Sequence, residues 1–175
     1  MIQSRSDLVT FVQADLARFD VVSLRSGATA AMRQPQIRFQ LRMRVAEWLH
    51  NTRRGPLWKV LDVVSRWRLQ RAGIRLGYTI PVNSFGKGLK LPHWGTIVIG
   101  GEATIGDNCT CHPNVLVGTR DGSPTIGDNV YLGNGAQLYG PITIGNNSTI
   151  APSAVVTKDV DEGVTVAGVP ARVMG

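Results

Sequence analysis

A repeat of six residues dominates the second half of this chain and constrains its fold more than any other feature. An aliphatic or small apolar residue recurs at every sixth position in two runs: Ile99, Ile105, Cys111, Val117, then Ile126, Leu132, Leu138, Ile144, Ile150 and Val156. A second series of small or β-branched residues stands four positions after most of these, beginning with Ala103, Cys109 and Val115. So strict a period indicates one short unit that stacks on copies of itself, each burying the apolar face of the next.

The expected unit is one flat side and one corner of a triangular, parallel β-solenoid, so that three hexads close a coil. Corners need backbone of unusual φ, and Gly, Asn and Asp cluster there, as in the Ile-Gly-Asp-Asn segments at 105–108 and 126–129. One break interrupts the run, because Val117 and Ile126 are nine positions apart. Residues 119–125 therefore cannot fit the coil and are predicted to loop outward, where loops on regular scaffolds often carry function.

Residues 1–72 follow a helical period instead. The first predicted helix has Ser6 as its N-cap and apolar residues at three- and four-residue spacing, namely Leu8, Phe11, Val12, Leu16 and Phe19. Two more helices are predicted over about 36–51 and 57–72, and the segment from Leu24 to Pro35 is predicted to be a loop. The chain thus divides into a basic, α-helical N-terminal domain, 1–72, and a β-helix domain, 73–175, with a mainly β fold overall.

Positive charge is concentrated in the helical part. The formal net charge is +7, and eleven Lys and Arg residues between positions 33 and 75 are opposed only by Glu47 and Asp62. Three interpretations stay open: a cap that is solvated or packs in an oligomer, contact with an anionic membrane surface, and nucleic-acid binding. No nucleic-acid-binding motif accompanies the charge, so no nucleic-acid partner is expected.

The two cysteines indicate packing rather than chemistry. Cys109 and Cys111 stand two apart inside the repeat, which gives neither a disulfide framework nor a CxxC pair. No apolar run reaches the roughly 20 residues of a membrane-spanning helix, and the first residues lack the layout of a signal peptide. We therefore expect a cytoplasmic protein, with any membrane contact peripheral, at the inner face, and made by residues 33–75.

Five segments of the repeat region carry a resemblance to a known family. They are FGKGLKLPHWGTIVIG at 85–100, PTIGDNV at 124–130, GPITIG at 140–145, VVTKDV at 155–160 and GVPAR at 168–172. Together they resemble the serine acetyltransferase branch of the hexapeptide-repeat acyltransferases, which are left-handed parallel β-helices. The resemblance implies a homotrimer, or a dimer of trimers joined by the helical region. It also implies that acetyl-CoA, the acyl donor, binds between neighbouring β-helices, without a metal.

The resemblance places the catalytic base at His93, which would deprotonate a hydroxyl as that hydroxyl attacks the thioester directly. The expected acetyl-CoA contacts are Gly118, Thr119, Asn134, Gly135, Ala151, Pro152, Lys158 and Arg172. Of these, Thr119 begins the inserted loop together with Arg120. Candidates for the acceptor pocket are Tyr78, Trp94 and His112. A nucleophilic Cys111 is the rival mechanism, and its inward stacking position disfavours it.

Departures from the family pattern bear on the acceptor. Pro92 stands where the family has an Asp before the base, Ser123 where it has a second histidine, and Tyr78 about where it has an Asp of the amino-acid site. The tail that docks on cysteine synthase is not expected, because the sequence ends at Met174-Gly175.

These departures favour a sugar hydroxyl of a surface polysaccharide or other glycan as the acceptor. The alternative is serine O-acetylation, with a small-molecule acceptor, and a non-catalytic β-helix scaffold is a remote third. A γ-class carbonic anhydrase is disfavoured, because it needs three zinc-binding histidines and only His93 and His112 lie in the repeat region.

Overall fold

The computed structural model describes residues 1–21, 23–52, 55–119 and 121–174. Within these ranges the chain forms four helices followed by a β-solenoid. The helices are α1 Arg5–Ala17, α2 Leu24–Arg33, α3 Pro35–Asn51 and α4 Pro56–Leu76. The strands are β1 Tyr78–Thr79, β2 Ile97–Ile99, β3 Thr104–Ile105, β4 Thr110–Cys111, β5 Leu116–Gly118, β6 Thr125–Ile126, β7 Tyr131–Leu132, β8 Gln137–Tyr139, β9 Thr143–Ile144, β10 Thr149–Ile150, β11 Val155–Val156, β12 Thr165–Ala167 and β13 Arg172–Val173.

The helical part corrects three predictions. The N-cap of α1 is Ser4 rather than Ser6, because Ser4 and Asp7 form a reciprocal capping box. The expected loop from Leu24 to Pro35 was wrong, since most of it is α2. Gly27 lies inside that helix because Leu16 packs against it, and a Cβ there would stand 2.6 Å from a Leu16 methyl carbon.

The last helix, α4, extends to Leu76, four residues beyond its predicted end. It stops at Gly77, whose φ of 82° belongs to the left-handed region that favours glycine. The domain division at residue 72 stays a prediction. None of the helices in the described ranges is long and apolar enough to cross a membrane.

The second half confirms the predicted left-handed β-helix. Its first side is the sheet β1-β2-β5-β8-β11, its second side β3-β6-β9, and its third side β4-β7-β10-β12, to which β13 adds antiparallel. Ile99 pairs with Val117, 18 positions later, and Leu138 pairs with Val156 at the same offset. Val117 pairs with Leu138, 21 positions later, so the extra residues of the break lie outside the coil.

Stacked aliphatic residues fill the interior, and stacked polar residues line one corner. All ten residues of the repeat series are buried, and both cysteines are fully buried. At the corner between the second and third sides, Asn108 donates a side-chain hydrogen bond to Asn129, and Asn129 donates one to Asn147. All three asparagines have φ of 58°, the backbone that a tight corner requires.

A buried ionic cluster fastens the helices to the first coil. Arg44 of α3 is 0% exposed, and its guanidinium donates to the carboxylates of Asp15 and Glu47 at 2.8 and 2.9 Å. It also donates to the carbonyl of Phe85 at 3.0 Å. Burial opposes the positive charge, but Glu47 and Asp15 raise the pKa of Arg44 above its ordinary value. Asp15 in turn accepts from the backbone N–H of Leu89 at 2.9 Å.

Candidate active site

Four turns of chain stack at the corner where the third side passes into the first. These turns are 91–96, 112–115, 133–136 and 151–154, and we call the stack the His93 column. Backbone hydrogen bonds join each turn to the next: Asn114 N–H to Thr96 O at 2.5 Å, Gly135 N–H to Pro113 O at 3.0 Å, and Ser153 N–H to Asn134 O at 2.9 Å. The segment of the predicted base thus lies on the same corner as half of the predicted acetyl-CoA residues.

Three neighbouring side chains donate hydrogen bonds to main-chain carbonyls at and near His93. The hydroxyl of Tyr78 donates to the carbonyl of His93 at 2.7 Å. In α3, the Gln40 amide donates to the carbonyl of Leu89 at 2.7 Å, and Gln36 makes a longer contact of 3.4 Å to the carbonyl of Pro92. These bonds fix the backbone on which His93 stands, while the His93 side chain itself is exposed.

Tyr78 is placed differently from its prediction. It is 5% exposed, with its ring edge-on to Phe39 at 4.9 Å between centroids. Burial first, and then Cys111, raises the pKa of Tyr78, so its hydroxyl stays protonated and available as a donor. This placement makes Tyr78 a support of the His93 backbone, and it argues against the predicted contact with the acceptor.

Of the other acceptor candidates, Trp94 is 60% exposed and directly follows His93. His112 stands one coil below and is half-buried, its ring 5.0 Å from that of Tyr131. Burial first, and then the charges of His93 and Lys90, lower the pKa of His112. The His93 imidazole therefore lies close enough to His112 to lower its pKa.

The predicted acetyl-CoA residues fall into separate groups. Asn134, Gly135, Ala151 and Pro152 belong to the His93 column. Their turns pack tightly, since a Cβ on Gly133 would stand 2.6 Å from the backbone nitrogen of Pro152.

Gly118, Thr119 and Lys158 lie instead at the corner between the first and second sides. There Lys158 borders a cavity of about 520 Å³ together with Asp121 and Tyr139. Arg172 is exposed on β13. Arg120, expected beside Thr119 in the inserted loop, lies outside the described residues.

The buried thiols do not suit catalysis. Burial raises the pKa of Cys109 to about 12, and burial and Cys109 raise the pKa of Cys111 well above its ordinary value. A nucleophilic thiolate needs the opposite shift. Within the described residues, no group of three or more His, Cys, Asp or Glu side chains is placed to hold a metal ion.

Several residues around His93 escaped the sequence-based predictions. Gln36 and Gln40 stand four apart, hence on one face of a helix, and this spacing was the available signal. Lys90 and Tyr131 approach His112 only because coils stack, at sequence distances that no motif encodes.

Comparison with known proteins supports the same assignment of fold. A family model described as bacterial transferase hexapeptide, six repeats, matches residues 123–158. A serine acetyltransferase of Synechococcus elongatus is 32% identical over 155 residues, which is 86% of this chain and 61% of that protein. The structure of a Brucella abortus serine acetyltransferase in complex with coenzyme A has a TM-score of 0.75 and 27% identity, covering 98% of this chain and 69% of that one. A Neisseria gonorrhoeae serine acetyltransferase in complex with serine has a TM-score of 0.75 and 26% identity, covering 95% and 69%.

This chain is therefore a hexapeptide-repeat protein of the β-solenoid fold and is serine acetyltransferase-like. It spans about 61% of the length of the Synechococcus relative. These relatives favour the serine branch and give no support to the polysaccharide subtype that the departures at Pro92 and Ser123 favoured.

Proposed function

We propose that this protein is an acetyl-CoA-dependent O-acetyltransferase in which His93 is the general base. The observation that carries the proposal is the His93 column, which joins an exposed imidazole on a fixed backbone to the turns that hold Asn134, Gly135, Ala151 and Pro152. The coenzyme A complex of the Brucella abortus relative supports the choice of acyl donor.

In the proposed reaction the neutral imidazole of His93 takes the proton of an acceptor hydroxyl as its oxygen attacks the thioester carbonyl. The sulfur of coenzyme A leaves with the proton that the imidazolium of His93 returns, and the acetyl ester forms without a covalent acyl-enzyme. Backbone N–H groups near Gly118 are candidates to stabilise the negative charge that develops on the carbonyl oxygen. His112 lies beside the base and remains mostly uncharged at neutral pH, which suits contact with a polar acceptor.

The donor site is proposed to be shared between subunits. Small residues on the His93 column offer a surface against which an extended, flexible arm can lie. Lys158, a cation suited to phosphate, stands at a different corner of the same triangular coil. A homotrimer that brings one subunit's His93 column against the neighbour's first-to-second corner would unite the two groups. A trimer, or a dimer of trimers through the helices, is therefore part of this proposal, as is a cytoplasmic location.

L-serine is the first candidate acceptor, because relatives that match most of this chain are serine acetyltransferases, one of them in complex with serine. A sugar hydroxyl is the second candidate, and local features favour it. Pro92 offers no carboxylate beside the base, and the hydroxyl of Ser123 contacts Glu102 at 3.3 Å. The exposed ring of Trp94 is available to stack on a sugar.

One experiment separates these functions. The protein is incubated with acetyl-CoA and either L-serine or a panel of glycans, and the release of free thiol is followed. We expect turnover with one acceptor class and a loss of on the order of 100-fold or more in His93→Asn. His50→Asn, a histidine of α3 remote from the His93 column, serves as the matched control and should retain activity.

Near-normal turnover in His93→Asn, with its oligomeric state unchanged, would refute the assignment of the base. Absence of coenzyme A binding by calorimetry would instead support the scaffold alternative.

A further inference from the structure

Helix α4 carries an apolar surface that the chain itself leaves uncovered. Its inward side consists of residues such as Asp62, Leu69 and Ala72, which pack against the rest of the protein. Its exposed side carries seven large apolar residues, Leu57, Val60, Leu61, Val63, Val64, Trp67 and Ile74. They alternate with exposed polar residues, namely Lys59, Arg66, Arg68, Gln70, Arg71 and Arg75. A helix on the surface of a water-soluble protein normally turns polar residues outward. This set of seven residues, called the α4 face below, therefore requires an explanation of its own.

Arginines border the α4 face. Between α3 and α4 runs a groove of about 400 Å³ with a floor of leucine and valine side chains, and Arg38, Arg42 and Arg68 line it. Burial first, and then the positive charges of Arg38, Arg68 and Arg75, lower the pKa of Arg42. On the outward side, the guanidinium of Arg71 lies 4.9 Å from the ring centroid of Trp67. The surface thus joins an apolar strip to a cluster of positive charge.

The α4 face of a second copy of the chain is a poor partner for this surface. A two-fold contact would bring the arginines of both copies together. The only acidic residues between positions 33 and 76 are Glu47 and Asp62, and both are buried, Glu47 against Arg44. The segment therefore holds no exposed carboxylate that could offset the repulsion.

An anionic lipid surface matches both properties at once. Phospholipid head groups supply phosphate for the arginines, and the underlying acyl chains accept valine, leucine and tryptophan side chains. We propose that the α4 face lies in the head-group region of an anionic bilayer, with its bordering arginines on lipid phosphates. This inference is independent of the proposed function, because lipid binding requires neither acetyl-CoA nor an acceptor.

The C-terminal end of α4 is hydrogen-bonded to the turn that bears His93, so the proposed membrane surface lies near the candidate active site. The carbonyl of Leu76, the last residue of α4, accepts from the backbone N–H of Gly95 at 3.0 Å. The docked helix would thus lead directly into the turn that bears His93, and the base would remain within a short distance of the membrane. Only the presentation of an acceptor rests on the proposed function: a sugar acceptor carried by a lipid would be presented to the site by the same surface that binds the membrane.

Vesicle flotation with the full-length protein tests the proposal. Vesicles of pure phosphatidylcholine are compared with vesicles containing 30% phosphatidylglycerol, about the anionic share needed for a strongly charged surface, at low and high salt. We expect binding to the anionic vesicles alone, and weaker binding as salt screens the charge.

Trp67→Ser should lower the partition coefficient about tenfold or more, because a large apolar side chain no longer enters the lipid. Arg71→Gln should lower it about fivefold. Met32→Ser and Arg25→Gln replace exposed residues of α2 and serve as matched controls, which should bind like the wild type.

Three results would overturn the proposal. One is equal binding to neutral and anionic vesicles, or no binding to either kind. Another is unchanged binding by Trp67→Ser. Because this variant changes an exposed side chain, it should fold, and circular dichroism verifies this first. The third is dissociation of an oligomer in the Trp67→Ser protein without vesicles, measured by light scattering, which would assign the α4 face to a second copy.

Discussion

Replacing Tyr78 with phenylalanine isolates the contribution of one hydrogen bond to the placement of the proposed base. The ring remains, so its packing against Phe39 is retained. Only the hydroxyl that donates to the carbonyl of His93 at 2.7 Å is removed. Since Tyr78 is buried, the carbonyl has no easy replacement for this donor.

A neutral hydrogen bond of this kind contributes about 1 kcal/mol net, within a range of about 0.5 to 1.5 kcal/mol. For a chain of this size that corresponds to a fall of about 2 to 4 °C in the melting temperature. If the same free energy holds His93 in its reactive position, kcat should fall by about twofold to tenfold. The KM for acetyl-CoA should not change, because the proposed acetyl-CoA residues lie on other turns of the His93 column or elsewhere on the solenoid.

The matched control is Ser84→Ala. The hydroxyl of Ser84 is also buried and donates to a carbonyl, that of Pro81, at 2.9 Å, but it lies away from the His93 column. Steady-state kinetics and thermal melts on both variants separate positioning from stability. Equal kcat in the two variants, or a change confined to the KM for acetyl-CoA, would refute the role assigned to Tyr78.

Two further predictions concern other parts of the structure. Arg44→Ala should lower the free energy of unfolding by about 3 to 5 kcal/mol, because it leaves the carboxylates of Asp15 and Glu47 buried without their cation. Urea denaturation measures this change. A loss below about 1 kcal/mol would contradict the stabilising role of the ionic cluster. The imidazole of His112 should titrate below the ordinary histidine value of 6.5 in NMR spectra, and its pKa should rise in His93→Asn, since a neighbouring positive charge is removed. An unchanged His112 pKa in that variant would show that the two side chains are farther apart than the structure places them.

The β-helix was predictable because its core repeats the same contact. Each inward residue, such as Val117, meets its counterpart in the adjacent coil, so a local pattern of six residues specifies a non-local arrangement. Even the break before Ile126 was interpretable, since an insertion that cannot fit the coil must leave it.

The helical part was less predictable, because single contacts rather than a period determine it. Helix α2 was missed because Gly27 indicates a loop by propensity, whereas its actual role is to let Leu16 approach. The support of His93 was missed for a related reason. The partners of Tyr78 and Gln40 are main-chain carbonyls, which every residue possesses, so no sequence pattern marks them.

The antiparallel strand β13 occupies the edge of β12 on the third side of the solenoid. A parallel solenoid presents an unpaired strand edge at each end, and such an edge is a template for another chain. At one end the helices cover the first coil, held there by Arg44. At the other end β13 pairs antiparallel with β12. On that side, the strand of a further coil would therefore face β13, which runs antiparallel to the other strands. On this side of the solenoid, an edge that could otherwise pair with another chain is thereby occupied.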